Sequence, residues 1–189
     1  MVAVLLAACS RPAGPAAPEL LSAYEAALDS TAASAVAFPP DSDQEKRVLQ
    51  RLAAYFAPMT AESARAQTVV VYAPNAWLFD NLAVVEGRQN IEDYFVKATT
   101  EAESLTVDFQ QVARAGSDYF IRWKMSINSP ALSAEPIVSY GVTQFRFDAD
   151  GRVLMHRDFW DAATGLYEYL PGVGGWMERL RNTLGAMPE

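Results

Sequence analysis

Apolar residues recur at helical spacing in the first half of the chain. One run follows Ser42, which has Glu45 three residues later, the order of a helix capping box. Its apolar members are Val48, Leu49, Leu52, Tyr55 and Phe56. A second short helix is predicted from Thr60, and a third over residues 90–103, where the apolar face holds Ile91, Tyr94, Phe95 and Ala98. Residues 19–38 are Ala-rich and predict either a helix or a loosely ordered arm.

The pattern changes to strands in the second half. Residues 75–89 indicate a strand or hairpin that ends in a glycine turn, and four strand-like runs follow at 104–113, 118–127, 136–147 and 152–160. Helices followed by consecutive strands predict an α+β fold, in which a curved antiparallel sheet packs on the N-terminal helices. The tail predicts a helix broken at Pro171-Gly172, with Trp176, Met177 and Leu180 spaced for packing as core cover or as a dimer contact.

Composition and spacing divide the chain into four parts. We predict a truncated signal over 1–9, a linker and Ala-rich arm over 10–41, one domain over 42–161 and a helical extension over 162–189. The chain is 51% hydrophobic, which is sufficient for a sizeable core. Its net charge of −8 argues against nucleic-acid partners, because phosphate contacts need a basic surface.

The N-terminal stretch Leu6-Ala7-Ala8-Cys9 resembles the lipobox of bacterial lipoproteins. That resemblance implies lipidation of Cys9, a location at the bacterial cell envelope and contact with a membrane through this anchor alone. The stretch departs from the pattern because no Lys or Arg precedes it and only eight residues come before Cys9. The alternative is a spurious signal and a cytoplasmic protein. The apolar run is far shorter than the roughly 20 residues that span a bilayer.

A longer stretch, VYAPNAWLFDNLAVVEGRQNIEDYF, resembles nuclear-transport-factor-2-like domains, a superfamily that includes ketosteroid isomerases and SnoaL-like polyketide cyclases. The matching positions are Tyr72-Ala73, Ala76, Asp80, Gly87-Arg88, Ile91 and Tyr94-Phe95. Downstream, QFRFDADGRVLMHRDFWD resembles the final hairpin of the same fold. The resemblance covers residues 42–161 and implies a cone-shaped, strongly bent sheet that encloses an apolar pocket.

The resemblance also implies roles for single residues. Asp80 falls at the general-base aspartate of the ketosteroid isomerases, and Tyr55 falls within a residue of their oxyanion-hole tyrosine. Tyr72 matches a supporting tyrosine, whereas Phe95 replaces a second one. Thr143 stands where those enzymes have a protonated aspartic acid. Because a threonine hydroxyl is a weaker donor to a developing enolate, steroid isomerisation is not carried over.

The stretch HRDFWD contains His156, the only histidine of the chain. Side chains alternate along a strand, so His156, Asp158 and Trp160 share one face while Arg157 lies on the other. In the isomerases the tryptophan that matches Trp160 lines the pocket. We therefore expect a cavity that contains Asp80, His156, Asp158, Tyr55 and Thr143, with walls that include Tyr72, Trp123, Met125, Phe145 and Trp160.

Such a set favours acid–base chemistry. Loss of hydration in an apolar cavity raises the pKa of a carboxyl group toward neutrality, where a base works efficiently. Asp80 would then be the base and His156 or Tyr55 the acid, with Asp158 fixing the imidazole tautomer. Structural interpretations stay open beside this one: Asp80 capping a turn with Asn81, His156 and Asp158 in a buried polar network, and Tyr55 in the core.

We expect no metal, because one histidine and one cysteine make a poor ligand set, and no cofactor. Asp161 is predicted to be the N-cap of a following helix. Two functions remain open. One is an enzyme that acts on a small apolar molecule as an isomerase, cyclase or hydrolase. The other is a non-catalytic lipoprotein of the cell envelope that binds a ligand or a protein. A homodimer is expected because sheets of this superfamily commonly pair.

Overall fold

The computed structural model describes residues 17–185, so Cys9 and the lipobox stretch lie outside the described residues. The helices are α1 (Ala17–Ala32), α2 (Asp43–Phe56), α3 (Ala61–Val71), α4 (Arg88–Glu101), α5 (Ala162–Gly165) and α6 (Gly174–Gly185), with a 3-10 turn at Tyr167–Tyr169. The strands are β1 (Tyr72–Phe79), β2 (Val84–Glu86), β3 (Ser104–Ala115), β4 (Asp118–Asn128), β5 (Ile137–Phe147) and β6 (Val153–Trp160). The α+β class and all four predicted strand runs are confirmed.

The six strands form one open sheet in the order β2-β1-β6-β5-β4-β3. The sheet is antiparallel as predicted except at one pair, where β1 lies parallel to β6, so it is mixed. The two strands are far apart in sequence, and a parallel pair needs a long connection, here β2, α4 and the β3–β5 meander. Irregular registers at Phe109/Gln111 in β3 and at Arg146/Phe147 in β5 interrupt the ladders, and such bulges bend a sheet.

Helices α2, α3 and α4 cover one face of the sheet and enclose the main core with it. Ser42 caps α2 by accepting a hydrogen bond from the backbone N–H of Glu45, and Thr60 forms a capping box with Ser63 at the start of α3. The core between these layers contains Leu52, Ile91, Ile121, Phe145 and Phe147, each at most 2% exposed. Burial of such side chains contributes about 1.5–3 kcal/mol each relative to exposure.

Helix α1 packs on the opposite, outer face of the sheet, so the Ala-rich arm is a helix here. A second apolar cluster joins the helix to the sheet and consists of Ala27, Phe79 and Met155, with Tyr24 beside it. The Arg146 guanidinium donates to the Leu28 carbonyl oxygen at 2.6 Å and to Thr31 Oγ1 at 3.1 Å. Arg157 places its guanidinium 4.6 Å from the centre of the Tyr24 ring.

The C-terminal segment begins with the predicted cap. Asp161 Oδ1 accepts from the backbone N–H groups of Ala163 and Thr164, which confirms it as the N-cap of α5. The break at Pro171-Gly172 is also present, and α6 follows it. Of the residues predicted to pack on α6, Trp176 is 62% exposed and Leu180 is 38% exposed, so these two do not cover the core, whereas Met177 is partly buried. Among residues 17–185, no helix combines the length and the apolar character needed to cross a bilayer.

Candidate active site

A cavity of about 250 Å³ lies between the helix-covered face of the sheet, α2 and α4. Its walls are mainly aromatic and aliphatic, and the aromatic members on α2, α4 and the strands are Phe56, Tyr94, Phe95, Phe109, Trp123, Phe145 and Trp160. Leu166, just after α5, lines it as well. At roughly 30 Å³ per water molecule the space would hold about eight waters. It is large enough for a small organic molecule.

Most of the predicted pocket residues line this cavity. The polar ones are Asp80 at the end of β1, Thr143 on β5, and His156 and Asp158 on β6. The predicted walls present there are Trp123, Met125, Phe145 and Trp160. Tyr55 and Tyr72 are completely buried and do not belong to the lining. The structure therefore brings eight of the ten predicted positions together and places two tyrosines behind the wall.

His156 is held by hydrogen bonds at both ring nitrogens. Its Nδ1 lies 2.7 Å from the hydroxyl oxygen of Tyr72, and its Nε2 lies 3.0 Å from Asp158 Oδ1. When Asp158 is ionised, Nε2 must carry the hydrogen because a carboxylate only accepts. In the neutral imidazole, Nδ1 then accepts from the Tyr72 hydroxyl. Tyr72 thus orients His156 from behind, and no ring nitrogen of His156 is left to contact a ligand.

Asp158 ends a second hydrogen-bond chain on the cavity wall. The indole N–H of Trp123 donates to Thr143 Oγ1 at 2.7 Å, and the Thr143 hydroxyl donates to Asp158 Oδ1. Oδ1 therefore has two donors, Thr143 and His156. Thr143 uses its only hydrogen on Asp158, so in this state it is not a donor to a bound molecule. Asp158 Oδ2 has no hydrogen-bond partner in the described part of the chain, and the side chain is 19% exposed.

Asp80 both caps a turn and lines the cavity. Its Oδ1 accepts from the backbone N–H groups of Leu82 at 2.6 Å and Ala83 at 2.8 Å, and its Oδ2 accepts from the hydroxyl of Tyr94. Burial raises the pKa of Asp80 above its ordinary value, and the nearby charge of Asp158 raises it further. The hydrogen bonds from Tyr94 and the two backbone groups oppose that rise without cancelling it.

Tyr55 has a structural partner instead of a cavity position. Its hydroxyl lies 2.7 Å from Thr68 Oγ1, and Thr68 donates its own hydrogen to the Ala64 carbonyl oxygen at 2.7 Å. Tyr55 must therefore be the donor, and it ties α2 to α3. Burial raises the pKa of Tyr55 above the usual range. Of the two roles considered for Tyr55, acid and core residue, this geometry fits the core residue.

Tyr94 is the site residue that sequence reasoning missed as a chemical group. It lies on the cavity wall, and burial together with the charge of Asp80 raises its pKa well above that of a free tyrosine. The sequence places Tyr94 on the apolar face of a helix, beside Phe95. That spacing signals a residue that faces the sheet, but it carries no information on which acceptor the hydroxyl meets.

No metal-binding arrangement accompanies these groups. Within residues 17–185, no three or more His, Cys, Asp or Glu side chains are grouped to hold a metal ion. His156 uses both ring nitrogens and Asp80 both carboxyl oxygens in hydrogen bonds within the protein. The cavity groups that argue for acid–base chemistry are its two carboxyl groups and a tyrosine.

No protein-family model matches the chain. No curated protein matches it either. Solved structures do. A protein of ketosteroid isomerase-like fold from Catenulispora acidiphila, solved in complex with trimethylamine, superposes with a TM-score of 0.55 at 15% identity, over 68% of this chain and 92% of its own. A protein designated a polyketide cyclase from Acidithiobacillus ferrooxidans superposes with a TM-score of 0.55 at 15% identity, over 68% of this chain and 94% of its own. A protein designated a SnoaL-like polyketide cyclase from a Jannaschia species superposes with a TM-score of 0.51 at 17% identity, over 80% of this chain and 99% of its own.

These likenesses show the fold. The chain has the nuclear-transport-factor-2-like architecture of ketosteroid isomerase-like and SnoaL-like proteins, as its sequence predicts. At such low identity, shared architecture does not assign a reaction, because one fold supports many activities. The function has to be argued from the side chains of this cavity.

Proposed function

We propose that the cavity binds a small, mostly apolar molecule and that Asp80 removes a proton from a carbon next to a carbonyl group. This step is common to isomerisation and to cyclisation through an enolate. The observation that carries the proposal is the half-buried Asp80 carboxyl group on the cavity wall, whose pKa is raised by desolvation and which accepts a hydrogen bond from Tyr94. Two proteins of similar fold are consistent with it: one is designated a polyketide cyclase, and the other was solved with the small molecule trimethylamine bound.

Asp80 suits the role of base because of its surroundings. A carboxylate with an ordinary pKa is a weak base at neutral pH, whereas one with a raised pKa holds an abstracted proton more firmly. The backbone N–H groups of Leu82 and Ala83 fix Oδ1, so the carboxyl group keeps one orientation. Oδ2 accepts from Tyr94, and both residues line the cavity.

Tyr94 takes the place that the sequence assigned to His156 or Tyr55, as a hydrogen-bond donor to the substrate oxygen and not as a proton donor, because its raised pKa makes it a weak acid. Its hydroxyl donates to Asp80 while Asp80 is ionised. Once Asp80 holds the substrate's proton it attracts that hydrogen less, and the Tyr94 hydroxyl becomes available to the enolate oxygen. A donor aimed at developing negative charge in a site of low polarity is effective in stabilising a transition state. His156 acts as a positioning residue, since both its nitrogens bind protein groups.

Proton transfer is tested by deuterium exchange. The protein is incubated in heavy water with cyclohexanone and related small ketones, and deuterium incorporation at the carbon next to the carbonyl is followed by NMR. We expect acceleration that falls by about 100-fold or more in Asp80→Asn, the usual contribution of a positioned base. Asp108→Asn, an exposed carboxylate on β3, serves as the control and keeps full activity. Unchanged exchange in Asp80→Asn would overturn Asp80 as the base.

A non-catalytic binding protein is the second candidate. The observation in its favour is that neither Asp80 nor His156 needs a ligand, since protein groups already reach both oxygens of Asp80 and both ring nitrogens of His156. Such a protein gains thermal stability with a bound ligand and shows no exchange activity with any ketone that binds.

We propose lipidation at Cys9 and residence at the cell envelope for either function. The stretch Leu6-Ala7-Ala8-Cys9 supports this proposal. Mass spectrometry of protein purified from membranes, with Cys9→Ser as the comparison, tests it. A wild-type mass without acyl chains would overturn it.

A further inference from the structure

The cavity holds two carboxyl groups and no strongly basic side chain. Asp80 and Asp158 both line it, and their charges act on each other, since Asp158 contributes to raising the pKa of Asp80. Among residues 17–185, no Lys or Arg belongs to the lining. A carboxylate in an apolar space is costly unless a partner offsets its charge. The two carboxyl groups therefore give this aromatic pocket a negative electrostatic potential when they are ionised.

Of the two carboxyl groups, Asp158 has the one whose negative charge is less offset by protein donors. Both donors that reach it, the Thr143 hydroxyl and His156 Nε2, end on Oδ1. Neither reaches Oδ2, which has no hydrogen-bond partner among the described residues. The neighbouring Arg157 cannot serve, because it projects from the other face of β6, where its guanidinium packs over the Phe79 and Phe159 rings.

The walls around Asp158 are suited to a cation. Trp123 is linked to Asp158 through Thr143, and Trp160 follows it on the same face of β6. Phe109, Phe145 and Tyr94 also line the cavity. The faces of aromatic rings attract ammonium groups, by about 0.5–2 kcal/mol per contact. The net charge of −8 favours the approach of a cation from solution.

We propose that the molecule bound in this cavity is a small organic cation, with one protonated amine that donates to Asp158 Oδ2 and an apolar body against the aromatic walls. The inference rests on the proposed function, because it uses the same cavity and leaves Asp80 and Tyr94 for proton transfer. It names the substrate class as amine-bearing carbonyl compounds. Asp158 is then the residue that determines specificity, and His156 and Thr143 orient it.

A matched pair of probes tests the charge of the ligand. Cyclohexylamine and cyclohexanol have nearly the same shape, and only the amine is protonated at neutral pH. Both are titrated into the full-length protein by calorimetry. We expect the amine to bind at least tenfold more tightly than the alcohol. In Asp158→Asn the two should bind equally, with the affinity for the alcohol unchanged, which also shows that the variant is folded. Asp108→Asn should keep the preference for the amine.

The other outcomes separate this inference from the proposed function. Equal affinity for amine and alcohol in the wild type overturns the cation while leaving a small-molecule pocket. A preference for the amine that persists in Asp158→Asn overturns the assignment to Asp158. Binding of neither probe overturns both the cation and the small-molecule cavity. If Asp158→Asn fails to fold, Asp158→Glu replaces it. That variant keeps the charge but shifts the carboxylate, so a reduced preference for the amine is expected, and an unchanged one overturns the role of Asp158.

Discussion

The indole ring of Trp123 lies directly against the backbone of Gly141, its partner across the β4–β5 ladder. A Cβ atom on Gly141 would lie 2.3 Å from Cζ2 and 2.5 Å from Cη2 of Trp123, closer than any real contact. The missing side chain lets the ring approach the strand, and glycine within a strand often marks such an approach. In this position the indole N–H reaches Thr143, which in turn donates to Asp158. A glycine thus helps to orient a carboxylate on the neighbouring strand.

Replacing Gly141 by alanine should therefore destabilise the protein. Overpacking a core position costs typically about 1–3 kcal/mol, and a shift of the ring away from Thr143 should also weaken ligand binding. Urea unfolding measures the first effect and calorimetry with cyclohexylamine the second. Gly175→Ala is the control, because nothing lies within 4 Å of the added carbon on α6. That change should be neutral or slightly stabilising. Equal stability of Gly141→Ala and the wild type would show that the ring is not confined.

Tyr55 and Tyr94 should respond differently to loss of their hydroxyl groups. Tyr55→Phe removes a hydrogen bond to Thr68 that ties two helices together, at a cost of about 1 kcal/mol in the free energy of unfolding. Tyr94→Phe removes the donor to Asp80 on the cavity wall. Deuterium exchange should persist in Tyr55→Phe and drop sharply in Tyr94→Phe. The reverse order of activities would assign the hydrogen-bond donor to Tyr55, the position that the family resemblance indicates.

The strand pattern predicted much of the site because its period is strict. Alternation along β6 placed His156, Asp158 and Trp160 on one face, and alternation along β4 placed Trp123 and Met125 there too; all five line the cavity. Such predictions succeed when one short-range rule fixes the direction of a side chain. Turn capping by Asp80 and helix capping by Asp161 are local in the same sense.

Local patterns could not predict hydrogen bonds to residues that only the tertiary structure brings close. Tyr55 and Tyr94 both lie on helix faces that point inward, and only the positions of Thr68 and Asp80 decide which hydroxyl reaches the cavity. Glu45 shows the same limit. The capping pattern predicts that its carboxylate turns back to Ser42, yet it accepts instead from the backbone N–H of Asp41 and from Arg114, 69 residues away. The parallel pairing of β1 with β6 is likewise a long-range choice.

Arg146 should decide whether α1 stays on the sheet. Its side chain is 12% exposed, forms an ion pair with Asp118, and donates to Leu28 and Thr31 near the end of α1. Arg146→Gln should lower the free energy of unfolding by about 2 kcal/mol, since hydrogen bonds from charged donors contribute roughly 1.5–3 kcal/mol each. Amide hydrogen exchange should rise in α1 more than in α2. Arg181→Gln breaks an ion pair whose arginine is 53% exposed and should leave exchange in α1 unchanged. Uniform exchange changes across both helices would contradict the local role.

Asp80 should also make stability depend on pH in a direction opposite to the usual one for a carboxyl group. Its pKa in the folded protein lies above the ordinary value of 3.8. Below that ordinary value the group is protonated in both states and contributes nothing. As pH rises toward the folded pKa, the native state holds more protons than the unfolded state, so stability falls; above the folded pKa the loss is complete.

Asp80→Asn removes this loss and keeps an oxygen for Leu82 and Ala83 and an N–H for Tyr94. Urea unfolding from about pH 2 to about pH 8 should show the variant gaining on the wild type as pH rises above the ordinary value, and then a constant difference. Asp161→Asn is a control of opposite sign. The hydrogen bond from Thr164 lowers the pKa of Asp161, so its contribution is present above the ordinary value and is lost as pH falls. That variant should lose ground to the wild type as pH rises. Parallel slopes for the two variants would show that Asp80 is not a carboxyl group of raised pKa, and the case for Asp80 as the base would lose its physical reason.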